Sequence, residues 1–138
     1  MEQGTILNME ETSGAWFEMD GGGRVQLRTL TYNALKQITK QSTRKQVTFK
    51  KVEGTPGRFE YEDVDEDLKN ELFWDHCIVA WENLFDSKEK AIPCNKENKI
   101  LLMTRSSQFL KFITSSLEVL SKDEEDHTQA AEKNLSTP

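Results

Sequence analysis

The sequence is short of the residues that several kinds of chemistry require. Two cysteines and two histidines stand in 138 residues, with no CxxC and no H-x-x-x-H spacing. A disulfide framework and the usual zinc patterns are therefore excluded. No stretch approaches about 20 consecutive apolar residues, so nothing is expected to span a membrane. The glycines of "DGGGR" form neither a G-x-G-x-x-G nor a Walker pattern. Positive charge is also in deficit. The net charge is −6, which argues against nucleic acid as the main partner, because phosphate binding needs a basic footprint. The opening "MEQGTILNMEETSG" lacks the basic start and apolar run of a secretory signal. Reduced thiols in a cytoplasm are the expectation.

What is present describes a wet globular chain. Hydrophobic residues make up 36% and charged residues 30%. A chain of this length buries about two thirds of its unfolded surface without a metal or disulfide. Residues 1–13 are polar and aperiodic, a loose arm. Two short extended runs flank Gly21, Gly22 and Gly23 and predict a hairpin. Thr31 is placed to cap a helix over 32–43, where Leu35 and Ile38 make a narrow apolar stripe. Val47 and Phe49, then Phe59 and Tyr61, predict a second hairpin turning at "GTPG", 54–57. Asp63 or Asp65 caps a helix expected over 66–81, whose acidic start suits the helix dipole. "ENLFDSKEKAIP" is a short reversal with a charged tip at Ser87–Lys90. Asn95 caps a helix over 96–104. Leu110, Ile113, Leu117 and Leu120 recur at three and four residues and set another over 107–120. The composition of 122–138 is that of a disordered acidic tail. The expectation is one α+β domain over 14–121: a small N-terminal antiparallel β-hairpin region packed with a mainly helical C-terminal part.

One stretch, "ELFWDHCIVAWENLF" (71–85), sets Asp75, His76 and Cys77 side by side among aromatics. These are the residue types of a thiol or zinc site. Successive residues on a helix point about 100° apart, so three consecutive side chains have no shared target. Dyads on a helix need a spacing of three or four. Completing a metal set would need Cys94 and His127, the second of them in the polar tail. Cys77 is read as a small core hydrophobe, and no catalytic or metal residue is assigned.

Two features remain. From Lys36 to Arg58 there are seven basic residues against one acid, and from Glu60 to Asp75 eight acids against one base. These runs are either solvated faces or complementary faces for head-to-tail self-association. The chain is also rich in aromatics around its longest helices. Trp74, Trp81, Phe85, Phe109 and Phe112 are the candidate partner-binding residues, since a surplus that one small core leaves exposed marks an interface.

"CIVAWENLFDSKEKAIPCNKENKILLM" (77–103) resembles a recurrent pattern in the tail assembly chaperones of long-tailed bacteriophages. The pattern is a helix ending in Val-x-x-Trp-Glu-Asn, a hairpin around a polar tip, an Ile/Val-Pro step, and a capped Glu-Asn-Lys helix with a Leu-Leu run. A short helix with a buried Phe follows, here "SSQFLKFI". "WFEMDGGGRVQLRTLT" is similar to the opening of such proteins, so the resemblance covers most of 15–120. It implies a non-enzymatic protein without a cofactor. Such a protein binds the helical tape measure protein, keeps it soluble and helps recruit tail tube subunits. A homo-oligomer in the cytoplasm of an infected or lysogenic bacterium, absent from the finished virion, is the expectation. "AEKN" (131–134) can be encoded with A AAA AAC, a heptanucleotide on which ribosomes slip. The family commonly makes a longer form by such slippage, and that form would meet the tail tube subunit. The alternatives are another phage component, such as a tail-completion or head–tail connector protein, or a thiol- or metal-dependent enzyme using His76 and Cys77.

Overall fold

The computed structural model describes residues 4–5 and 14–136, with side chains described to Glu124 except that of Val52. The rest of the 1–13 arm, most of the 122–138 tail and the slippage residues Lys133 and Asn134 thus lie outside the described side chains. The fold is α+β. Within the stretch read above as one domain, the chain forms two compact units, Leu30–Trp74 and the remainder, Met1–Thr29 with Asp75–Pro138.

The larger unit is built on a three-stranded antiparallel sheet. β1 (Ala15–Glu18) and β2 (Arg24–Leu27) form the expected glycine hairpin, and β5 (Ile78–Glu82) pairs with the other side of β2. Gly21 and Gly22 take positive φ in the connecting turn, a conformation that costs glycine little. Helices α3 (Lys96–Arg105) and α4 (Ser107–Ser136) complete this unit. Asn95 caps α3 through a 2.8 Å bond from the Asn98 amide, as its position predicts. Val25 and Leu27 on β2, Ile78 and Trp81 on β5, Met103 on α3, and Phe109 and Ile113 on α4 are all buried. The backbone of α4 is helical through Ser136, well past the last leucine of the stripe at Leu120.

β5 corrects the helix expected over 66–81. Helix α2 spans Glu66–Cys77, and the chain then turns into strand. Ile78 and Trp81 stand three apart, which imitates helical spacing. In the sheet, Leu27 faces Ile78 while Gln26 faces Ala80, so Val79 is the extra residue of a β-bulge. A bulge sets two residues against one and shifts the inward phase, so residues three apart both face inward. β-Branched Ile78 and Val79 also favour the pleated form.

The smaller unit holds α1 (Tyr32–Ser42), β3 (Thr43–Val52), β4 (Thr55–Val64) and the α2 residues up to Trp74. Thr31 caps α1, and Asp65 accepts the Leu68 amide at the start of α2. Strands β3 and β4 pair over their whole length, from Thr43 opposite Val64 to Val52 opposite Thr55. The turn is therefore Glu53–Gly54, both at positive φ (54° and 80°), two residues earlier than the expected 54–57. That is the geometry of a two-residue hairpin turn. Pro56 and Gly57 lie inside β4, where a two-stranded ribbon leaves an open edge that tolerates proline.

Candidate partner-binding site

Asp75, His76 and Cys77 do not converge. Lys99 Nζ donates to Asp75 Oδ1 at 3.0 Å and to the Asp75 carbonyl at 3.1 Å. Arg28 Nε donates to the His76 carbonyl at 2.8 Å, and its Nη2 lies 3.3 Å from His76 Nδ1. Cys77 is buried in the core, and that burial pushes its thiol up to about 12 against a small opposing pull from Arg28. A thiol so placed stays protonated near neutral pH and is not poised as a nucleophile. Among the described residues, no group of three or more His, Cys, Asp or Glu could hold a metal ion. No helix among them is long and apolar enough to cross a membrane.

The aromatic candidates separate instead into core and surface. Trp81 is 8% exposed. Its indole Nε1 donates to the Ile92 carbonyl at 2.7 Å, and its ring meets Phe109 edge to face at 6.1 Å. Phe109 is buried with it. Phe112 and Trp74 are half-buried, and Trp74 belongs to the smaller unit. Phe85 is 58% exposed.

Phe85 owes its exposure to a second small hairpin. Leu84 and Ile92 are joined by a 2.9 Å backbone bond, and Phe85 bridges to Ala91. The tip is folded over Asp86, whose carboxylate accepts the Lys88 and Lys90 amides at 2.8 and 3.0 Å. This is the reversal with a charged tip expected at Ser87–Lys90. It holds the chain extended where Phe85 pairs with Ala91.

Beside this hairpin lies an open cleft of about 170 Å³. Its apolar wall comes from Met19, Leu84, Phe85, Ile92, Leu102 and Phe109, with Asp20, Asn83 and Gln108 at polar positions. Phe85 and Phe109 are thus the two candidates that the fold brings to one concave surface, with Trp81 supporting Phe109 from within. Met19 and Ile92 were not legible as site residues. Met19 reaches the cleft through the local β1–β2 pairing and the β2–β5 register, the latter linking residues more than 50 positions apart.

Trp16, Leu110 and Val119 are also exposed in the larger unit, and further apolar exposure lies in the smaller one. Val47, Phe49, Phe59 and Tyr61 on the ribbon, and Tyr32 and Leu35 on α1, are all exposed. On the ribbon, the basic and acidic runs meet as neighbouring strands: Arg44 faces Asp63 and Lys45 faces Glu62. Arg44 also approaches Asp65 at 3.6 Å, and Arg58 approaches Glu60 at 3.2 Å. Part of the charge segregation is therefore answered inside the chain.

No curated protein and no solved structure matches this chain. A protein family does. Residues 26–134, which include the end of β2, the ribbon, β5, the cleft hairpin and nearly all of α4, match the YdaY prophage protein family. With most of its length so matched, the chain belongs to the YdaY prophage protein family.

Proposed function

We propose that this prophage protein is a non-enzymatic tail assembly chaperone. It binds a helical segment of the tape measure protein, keeps that protein soluble, and helps bring tail tube subunits to it in the host cytoplasm. The observation that carries the reading is the cleft at the 84–92 hairpin, with Phe85 exposed beside buried Phe109 and Trp81. An amphipathic helix offers an apolar stripe of the kind that such a groove accepts. Five residues of the cleft, Asn83, Leu84, Phe85, Ile92 and Leu102, come from the segment 77–103 that resembles the chaperones, and prophage membership agrees with that setting.

A longer form made by slippage at Lys133–Asn134 is part of the proposal, as the species that meets the tail tube subunit. Codons other than AAA AAC there would remove it. The direct test is co-expression with the tape measure protein of the same prophage. The expected result is a soluble tape measure protein that co-purifies with this chain, and purified virions that lack it. A stable place in the virion would instead favour a structural component of the tail or connector. An insoluble tape measure protein in the presence of this chain would refute the chaperone reading.

A further inference from the structure

The β3–β4 ribbon is ten residues long on each strand, and none of its described residues is buried. A two-stranded ribbon alone in water is marginal at best. Here it also exposes Val47, Phe49, Phe59 and Tyr61, with Phe49 at 75%. Among the described residues no further strand joins this two-stranded sheet, so both long edges are open there. Open edges are templates for another strand.

The charges of the two edges select which strand. β3 carries Arg44, Lys45, Lys50 and Lys51 and no acid. β4 carries Glu60, Glu62 and Asp63 against Arg58 alone. Two β3 edges would oppose cation to cation, a destabilising cross-strand arrangement. A β3 edge against the β4 edge of another copy unites opposite signs. We propose that copies of this chain assemble through this ribbon, the β3 edge of one copy adding to the β4 edge of the next. This is independent of the chaperone reading and requires no tape measure protein.

The register follows from the same charges. In the pairing within one ribbon, Arg44 faces Asp63 and Lys45 faces Glu62. Repeating that register between copies sets both opposite charges across from each other again. Sliding it two residues in one direction leaves only Lys45 opposite Glu60. Sliding it two residues the other way sets Lys51 against Arg58 and leaves no opposite pair within the strands. The contact is heterologous, since each copy offers one basic and one acidic edge. It therefore continues into a ring or a chain of ribbons rather than closing as a two-fold dimer. In such a sheet each added ribbon covers the edges left open on its neighbour, and exposed aromatics on both faces come into lateral contact across copies.

The test uses chains with one exposed cysteine, made in a Cys94→Ser background in which the remaining Cys77 is buried. Lys45→Cys and Glu62→Cys proteins are mixed at low salt and mildly oxidised, and the products are identified by mass spectrometry. The expected result is a 45–62 cross-link between chains, formed more readily than one between Lys50→Cys and Glu62→Cys chains. Scattering mass above the 15.9 kDa monomer, falling as salt is added, is expected with it, because screening shortens to about 10 Å at 0.1 M. Circular dichroism checks each variant. If either fails to fold, Val47→Cys with Glu60→Cys reads the same register. A monomer at low salt overturns the proposal. So does an oligomer in which neither cysteine pair cross-links.

Discussion

Replacing Trp81 with Ala is the perturbation that most sharply separates core from interface. The side chain is 8% exposed, faces Val25 across the sheet, packs edge to face on Phe109, and donates to the Ile92 carbonyl. Deleting a buried aromatic of this size costs about 3–5 kcal/mol, including the cavity it leaves. The edge-to-face contact accounts for roughly 0.5–1.5 kcal/mol of that kind of loss. Trp81→Phe keeps a ring against Phe109 but abandons the hydrogen bond, so it should cost about 1–2 kcal/mol. Urea unfolding followed by circular dichroism reads both. At a slope near ~2 kcal/mol/M, the Ala variant should lose roughly 2 M in midpoint. The whole stability of a domain is only about 5–15 kcal/mol, so partial unfolding without denaturant is also consistent. A Trp81→Ala protein within about 1 kcal/mol of the parent would refute the reasoning. It would mean that the ring contributes little to the core and serves mainly at a surface.

Three further outcomes follow from other sites. Asp75→Ala should destabilise more than Lys99→Met, by about 1–2 kcal/mol in thermal or urea unfolding, because it leaves a buried ammonium without its carboxylate, whereas Lys99→Met leaves a half-exposed Asp75 to water. Gly14 has φ of 84°, and a Cβ there would run into the Leu27 carbonyl; Gly14→Ala should therefore cost about 2 kcal/mol or more, while an unchanged midpoint would show that the strand start relaxes freely. Cys77 is held neutral to about 12 from an ordinary value of 9.0. The unfolded thiol ionises first, so stability from this group is intact below about 9 and falls by roughly 1.4 kcal/mol per pH unit until about 12. A Cys77→Ala chain should lack that component of the alkaline slope, and a thiol reagent should label Cys94 in the folded protein but Cys77 only on unfolding.

The parts of the fold visible in the sequence were those set by local chemistry. Thr31, Asp65 and Asn95 cap helices because a side-chain oxygen can reach an amide two or three residues on, which depends on nothing distant. The glycine hairpin and the leucine stripe of α4 are equally local. The errors came where a distant partner decides the form. "IVAWE" is strand because β2 lies beside it, and the bulge at Val79 disguised the two-residue period as a helical one. The turn at Glu53–Gly54 was displaced because "GTPG" has the stronger composition, while the full-length register of β3 and β4 requires two residues between Val52 and Thr55. Of the candidate site, Phe85 and Phe109 were legible as surplus aromatics. The wall contributed by Met19 and Ile92 was not, because only the sheet brings it there. In the sequence the ribbon aromatics Phe49, Phe59 and Tyr61 are ordinary strand positions, and only the folded chain shows them exposed on a two-stranded sheet.

The central claim is that the cleft beside Phe85 holds the tape measure protein, and Phe85→Ser tests it most directly. The side chain is largely exposed, so its removal should change folding stability by less than about 1 kcal/mol. Calorimetric titration with the tape measure segment that co-purifies with the parent protein should then show affinity reduced about tenfold or more, as for an interface anchor. Equal affinity in a stably folded Phe85→Ser protein would contradict the account.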